Sequence, residues 1–211
     1  LGYTPEEGIS FDFDKESDTL RVRGKSAHGS TPEKGANALG AMLKFFASFD
    51  EDCKRAYDLL FADRCRLKEM KDETGMLTMS PDVANFENGN LVITTDIRFP
   101  ATHKKEEITN ILDKENIKYK IVNYQAPLYT DPNGKLIKTL MGVYNRATGR
   151  NEKPIAIGGG TYARALKCGC GFGPELEDEE ATIHQPDEYI TFDRIRMMSE
   201  IYYEAIKELT K

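Results

Sequence analysis

Asn88-Gly-Asn-Leu-Val-Ile-Thr-Thr-Asp-Ile-Arg-Phe-Pro100 is the stretch that decides the fold of the first half of this 211-residue chain. Asn-Gly is the strongest short hairpin signal, because both positions of a two-residue turn must take positive φ. The strand after it alternates: Leu91, Ile93, Thr95, Ile97 and Phe99 on one face, Val92, Thr94, Asp96 and Arg98 on the other. Pro100 stops it, since proline has no N–H to give to a ladder. Upstream, Thr74 to Met79 is predicted as the partner strand. Downstream, Thr102 is predicted to cap a helix carrying Ile108, Ile111 and Leu112, with a last strand over Lys118 to Tyr124.

Nearer the N-terminus, Phe11 to Asp14 and Thr19 to Gly24 alternate about a turn-rich Lys15-Glu-Ser-Asp18, which predicts a hairpin. Thr31-Pro32-Glu33 has the cap, proline and acidic residue of a helix start. The helix is predicted to run to about Phe49, with a second from Glu51 to Ala62. The order from Thr19 is then β-α-(α)-β-β-α-β, the ferredoxin-like pattern of an antiparallel sheet with helices on one face. The fold class is therefore α/β with an α+β first domain.

Gln125 to Thr130 is the best domain boundary, so residues 1–126 and 127–211 are expected to be separate domains. Asp131-Pro132 is predicted to start a helix with Leu136, Leu140 and Val143 on its apolar stripe. Pro154 to Ile157 and Cys170 to Phe172 read as short buried strands, and Thr191 as the cap of a closing helix. On that helix Ile195, Met198, Tyr202, Ala205 and Leu209 are expected in the core. Between the strands lies Ile155-Ala-Ile-Gly-Gly-Gly-Thr-Tyr-Ala-Arg164. Its glycines allow close backbone approach, and Thr161 caps a following helix turn. His184 follows among carboxylates, Glu175 to Glu180 before it and Asp187 and Glu188 after. A neutral imidazole in that company is a metal-ligand candidate.

Bulk properties narrow the function. Acidic residues outnumber basic ones, 35 to 29, for a net charge of −6, which argues against nucleic acid as partner. No apolar run approaches the length that spans a membrane. The four cysteines, Cys53, Cys65, Cys168 and Cys170, have no zinc-finger spacing. They are expected to be reduced thiols in a cytoplasmic protein. The chain opens at Leu1 on strand-like material, and is expected to be a piece of a longer polypeptide.

Four segments, taken together, carry a family resemblance: Gly24-Lys-Ser-Ala-His-Gly-Ser-Thr-Pro-Glu-Lys-Gly-Ala-Asn-Ala38, Asp96-Ile-Arg-Phe-Pro100, Gly158-Gly-Gly-Thr-Tyr-Ala-Arg164 and Ile183-His-Gln-Pro-Asp-Glu-Tyr-Ile190. In this order they resemble the dinuclear zinc metallopeptidase superfamily of aminoacylases, desuccinylases and carboxypeptidase G. The Gly-Thr-Tyr-Ala-Arg form most resembles its PepV-like branch, the carnosinase-type Xaa-His dipeptidases. The resemblance implies a ferredoxin-like lid, here residues 1–126, inserted into an α/β catalytic domain, of which residues 127–211 are the closing part. It implies two zinc ions that activate water for dipeptide hydrolysis. It places His184 among the metal ligands and His28 on the oxyanion, a contact worth about 3 kcal/mol by analogy with other oxyanion donors. Arg98 would hold the substrate carboxylate; Gly159, Gly160 and Thr161 would line the pocket, with Arg164 beside them. The competing expectation for Arg98 is a local ion pair with Asp96 on the same strand face.

The family's earlier metal motifs, a His-x-Asp pair, a bridging aspartate and a Glu-Glu pair holding the general base, have no counterpart here. A zinc site needs three or four protein ligands, so the chain is expected to be inactive alone, to want its missing N-terminal catalytic half, and to self-associate through apolar surface that half would cover. Two other expectations stand beside this one: an N-acyl amino acid hydrolase of the same superfamily, and a non-catalytic binding module keeping the lid fold.

Overall fold

The computed structural model describes residues 4–173, 176 and 186–211. They are mixed α/β and form two compact units: residues Leu1–Pro127 with Ala156–Gly159, and residues Leu128–Ile155 with Gly160–Lys211.

In the first unit, strands β1 (Ser10–Asp14) and β2 (Thr19–Arg23) make the expected hairpin, Phe11 opposite Val22 and Phe13 opposite Leu20. The helix predicted from Thr31 is shorter than its sequence signals. Pro32–Lys34 forms one 3-10 turn, and α1 (Ala38–Phe46) begins only after Asn37, whose side chain accepts from the Gly40 N–H. The reason lies at Lys25 and Ala36, which exchange two backbone hydrogen bonds of 3.0 and 2.9 Å. This pairing closes residues 25–36 into a loop at its neck, which a helix through residue 36 would forbid. Helix α2 (Glu51–Leu60) follows, capped by Asp50.

A two-residue pair, β3 (Lys71–Asp72) with β4 (Gly75–Met76), leads into the long hairpin β5 (Thr78–Glu87) and β6 (Asn90–Arg98). Asn88 and Gly89 take φ of 50° and 79° at the turn, as expected. Pro81 sits inside β5 because the register shifts there: Pro81 pairs with Thr95 and Val83 with Thr94, so Asp82 bulges. Helix α3 (Lys105–Lys114) is closed by Glu107, which accepts from the Lys104 N–H at 2.8 Å. Thr102 is not its cap: its hydroxyl and amide both go to Asp72. Leu67, Leu77, Met79 and Ile108 are the core, with Ile97, Phe99, Ile111 and Leu112 packed against them.

The last strand of the ferredoxin-like pattern is corrected. Residues 118–124 carry no ladder, and among the described residues six strands form three two-stranded sheets. β6 pairs only with β5 and β2 only with β1. Tyr119, Ile121, Val122 and Tyr124 are all exposed, so the alternation in this segment has no second face to bury against.

In the second unit, α4 (Lys135–Thr148) and α5 (Phe192–Leu209) pack together. α4 starts three residues later than Asp131-Pro132 suggests, because the Gly134 N–H first closes a turn onto the Asp131 carbonyl. Thr191 caps α5 through the Arg194 N–H, as expected. Leu140, Val143, Met198, Ile201 and Ala205 form the core, with Cys170, Phe172 and Leu209 against it. Three of the five residues expected on the α5 stripe are in or against the core, Met198 and Ala205 buried and Leu209 packed beside them, whereas Ile195 and Tyr202 are exposed. Apolar residues cover more than one side of this helix, and α4 packs on the 194–198–201–205 side. Neither short strand forms; Ile155 and Ile157 are exposed rather than buried. Cys168 is exposed and Cys170 half-buried; burial pushes the Cys53, Cys65 and Cys170 thiols up, away from thiolate chemistry. Among the described residues no helix is long and apolar enough to cross a membrane.

Candidate active site

His28 stands in the neck-closed loop of the first unit. Its Nδ1 accepts the Ser30 backbone N–H at 3.2 Å and lies 2.7 Å from Ser30 Oγ. An amide can only donate, so its bond goes to an unprotonated Nδ1, to which the Ser30 hydroxyl can donate as well. These two contacts favour the tautomer with its proton on Nε2. That is the form able to donate to an oxyanion. Ser30 was not singled out by the sequence; a serine two residues after the histidine is the signal that could have found it.

The loop is held over β6. Thr78 Oγ1 donates to the Gly29 carbonyl at 3.1 Å. A Cβ on Gly29 would lie 2.6 Å from Asp96 Oδ2 and 3.1 Å from Arg98 Nη2, so any other residue there would push the carboxylate of the pair aside. Beneath it the ion pair expected on the shared face has formed: Arg98 Nε and Nη2 donate to the same Asp96 oxygen at 3.0 and 2.7 Å. Arg98 Nη1 donates to the Gly158 carbonyl at 2.7 Å. A guanidinium has five N–H groups; these bonds use three.

The structure thus brings His28, Arg98 and the 156–159 segment together in one unit, with Gly158 in the closest contact. A Cβ on Gly158 would sit 2.3 Å from Ser30 Cβ. Gly159 is looser: the nearest atom to a Cβ there is Ile157 Cδ1, at 3.8 Å. In the second unit Thr161 caps as expected, its hydroxyl accepting from Ala163 N–H at 3.3 Å, but the helix is a single 3-10 turn, Tyr162–Ala165. Arg164 folds back over Gly160, with Nη1 3.1 Å from where a Cβ would be.

His184 lies outside the described residues, as does most of the acidic run before it. Among the described residues no group of three or more His, Cys, Asp or Glu is placed to hold a metal ion, so they do not fit a zinc site.

His103, which the sequence offered no role, is a structural clasp. Nδ1 lies 2.9 Å from Glu107 Oε2, and Nε2 3.5 Å from the Lys71 carbonyl. The bond to Glu107 raises its pKa; partial burial opposes this, and the Lys71 carbonyl and the charges of Glu107 and Asp72 add to the rise. Glu107 is lowered, first by His103 and then by the Lys104 N–H. Beside them burial would raise Asp72, but hydrogen bonds from Thr74 and Thr102 outweigh it and hold the carboxyl well below its usual range. Stability from a raised histidine is complete below the unfolded value, about 6.5, and is lost as pH climbs through the folded one. Glu107 limits the other end: its share is present above about 4.3 and lost as pH falls through its lowered value. The melting-temperature gap between wild type and His103→Gln is expected to be largest near pH 5 to 6 and to close toward pH 9. A gap that stays level over that range contradicts the clasp.

Residues 18–208 match the sequence profile described as Peptidase family M20/M25/M40. A provisionally named dipeptidase of Staphylococcus aureus strain MW2 is 32% identical over 205 residues, covering 90% of this chain and 44% of its own. Another, from strain USA300, is 31% identical over 205 residues with the same coverage. The chain spans less than half the length of these relatives. With a profile match running through nearly all of its residues, the chain belongs to peptidase family M20/M25/M40.

Proposed function

We propose that this chain is the substrate-gripping part of a cytoplasmic zinc dipeptidase of the PepV-like, Xaa-His-cleaving kind. Residues 1–126 are its lid, and residues 127–211 close its catalytic domain. The observation that carries the reading is the pair of Ser30 contacts at His28 Nδ1, which favours the Nε2–H tautomer, in the same packed unit as Arg98. His28 donates a hydrogen bond through that N–H to the oxyanion as the peptide carbonyl becomes tetrahedral, and keeps its proton. Such donors are worth about 3 kcal/mol in the transition state. Arg98 takes the substrate's C-terminal carboxylate with the N–H groups that Asp96 and Gly158 do not use, and the family resemblance alone gives Gly159, Gly160, Thr161 and Arg164 their substrate-binding role. The dipeptidase names of the relatives support the substrate class.

Zinc belongs to this reading through the resemblance alone. His184 is one ligand in it, and the others come from the portion of such relatives that this chain does not match. By itself the 211-residue chain is then a binder without turnover. It also exposes apolar side chains, among them Phe192, Tyr203 and Ile206, which that catalytic portion covers and through which the chain self-associates without it.

The test is an NMR titration of the chain with alanyl-histidine and, separately, with N-acetyl and N-succinyl amino acids, alongside a turnover assay in added zinc. Alanyl-histidine is expected to shift the His28, Ser30 and Arg98 signals, with no cleavage. Shifts from the acyl amino acids alone favour an amidohydrolase. No shift with any of them favours a non-catalytic module, and steady cleavage by the chain refutes its inactivity.

A further inference from the structure

We infer that Asp96 is a positioning residue: it sets the plane of the Arg98 guanidinium, and Arg98 so set holds the Gly158 carbonyl, docking segment 156–159 against the His28 loop. Residues two apart on β6 share a face, and the arginine stem folds back until Nε and Nη2 both reach one Asp96 oxygen, at 3.0 and 2.7 Å. Two bonds from one edge of the planar fork converge on that oxygen, and the bond from Nη1 to Gly158 on its far side restrains the pivot about it. That third bond, from Nη1 to the Gly158 carbonyl, is 2.7 Å long.

Three chain segments besides β6 gather around this pair. Gly29 lies over it with no room for a Cβ, Thr78 ties the Gly29 carbonyl down from β5, and Gly158 presses on Ser30 with no room for a Cβ either. Ser30 in turn sets the His28 ring. A free arginine on a strand edge would sample many rotamers; this one is a strut between β6 and a segment 60 residues later. Asp96 is thus tied to His28 through Arg98, Gly158 and Ser30 without touching it. Lysine in place of Arg98 would keep the charge and lose the strut, because a single ammonium cannot reproduce the fork.

This inference needs the proposed peptidase function only for its catalytic consequence, and the test keeps the two apart. In the isotope-labelled 211-residue chain the Arg98 Nε–H is expected to exchange at least tenfold more slowly than that of the exposed Arg21. Asp96→Asn is expected to remove that protection and shift the Gly158 and Ser30 amides, leaving the Leu67 and Ile108 amides in place. Arg98→Lys is expected to shift the same two amides, and Asp96→Glu to restore most of the Arg98 protection. An Arg98 Nε–H that exchanges as fast as Arg21 in the wild type, or a Gly158 amide unmoved by Asp96→Asn, overturns the inference. Failure of alanyl-histidine to bind while these shifts are seen would remove the peptidase reading and leave the strut standing.

Discussion

Alanine at Gly158 is expected to undo the His28 arrangement, while alanine at the adjacent Gly159 leaves it intact. The two positions look alike in sequence, both inside a run of three glycines. In the fold they are not. A methyl at Gly158 would fall 2.3 Å from Ser30 Cβ and 3.2 Å from its hydroxyl, whereas one at Gly159 meets nothing nearer than 3.8 Å among the described residues. Neither side of the Gly158 contact is at liberty to yield, since Ser30 is bonded to His28 and the Gly158 carbonyl to Arg98. Relief requires breaking one of these bonds, and overpacking of this kind costs about 1–3 kcal/mol. Nitrogen chemical shifts of the His28 ring provide the measurement. Wild type and Gly159→Ala are expected to show the Nε2–H form, and Gly158→Ala a mixture of the two tautomers. Identical ring shifts in all three would mean that Ser30 does not set the histidine.

Ile201→Ala is expected to lower stability by about 3 kcal/mol, within the range of about 2–5 found for such truncations. Ile201 is fully buried, at 0% exposure, and sits at the centre of the α4–α5 contact with Leu140, Val143, Met198 and Ala205. Two helices supply most of that core, so a cavity there has few neighbours able to move in and fill it. A loss of this size is a large part of the roughly 5–15 kcal/mol that holds a domain folded. Urea unfolding followed by circular dichroism measures it. Truncating the exposed Ile195 on the next face of α5 is expected to cost under about 0.5 kcal/mol. Equal losses at the two positions would mean that α4 packs on a different face.

The amino-acid sequence by itself determined what depends on neighbours along the chain. Asn88-Gly89 set its turn through the φ values those residues tolerate, the alternation after it put Asp96 and Arg98 on one face, and Thr161 and Thr191 announced their caps. The four segments around His28, Arg98, Gly158 and His184 were sufficient to suggest the family. Tertiary structure alone decided what depends on approach between distant segments. The helix start at Thr31 lost to the Lys25–Ala36 pairing, and residues 118–124 stayed out of any sheet because no strand edge met them. α5 offered two apolar sides, and α4 took one. Ser30, Gly29 and Gly158 gained their places from contacts across tens of residues, where an absent Cβ or a serine hydroxyl acquires meaning only once another segment lies within about 3 Å of it. Local torsions and periodicity are written residue by residue, whereas close packing is a property of the assembled chain.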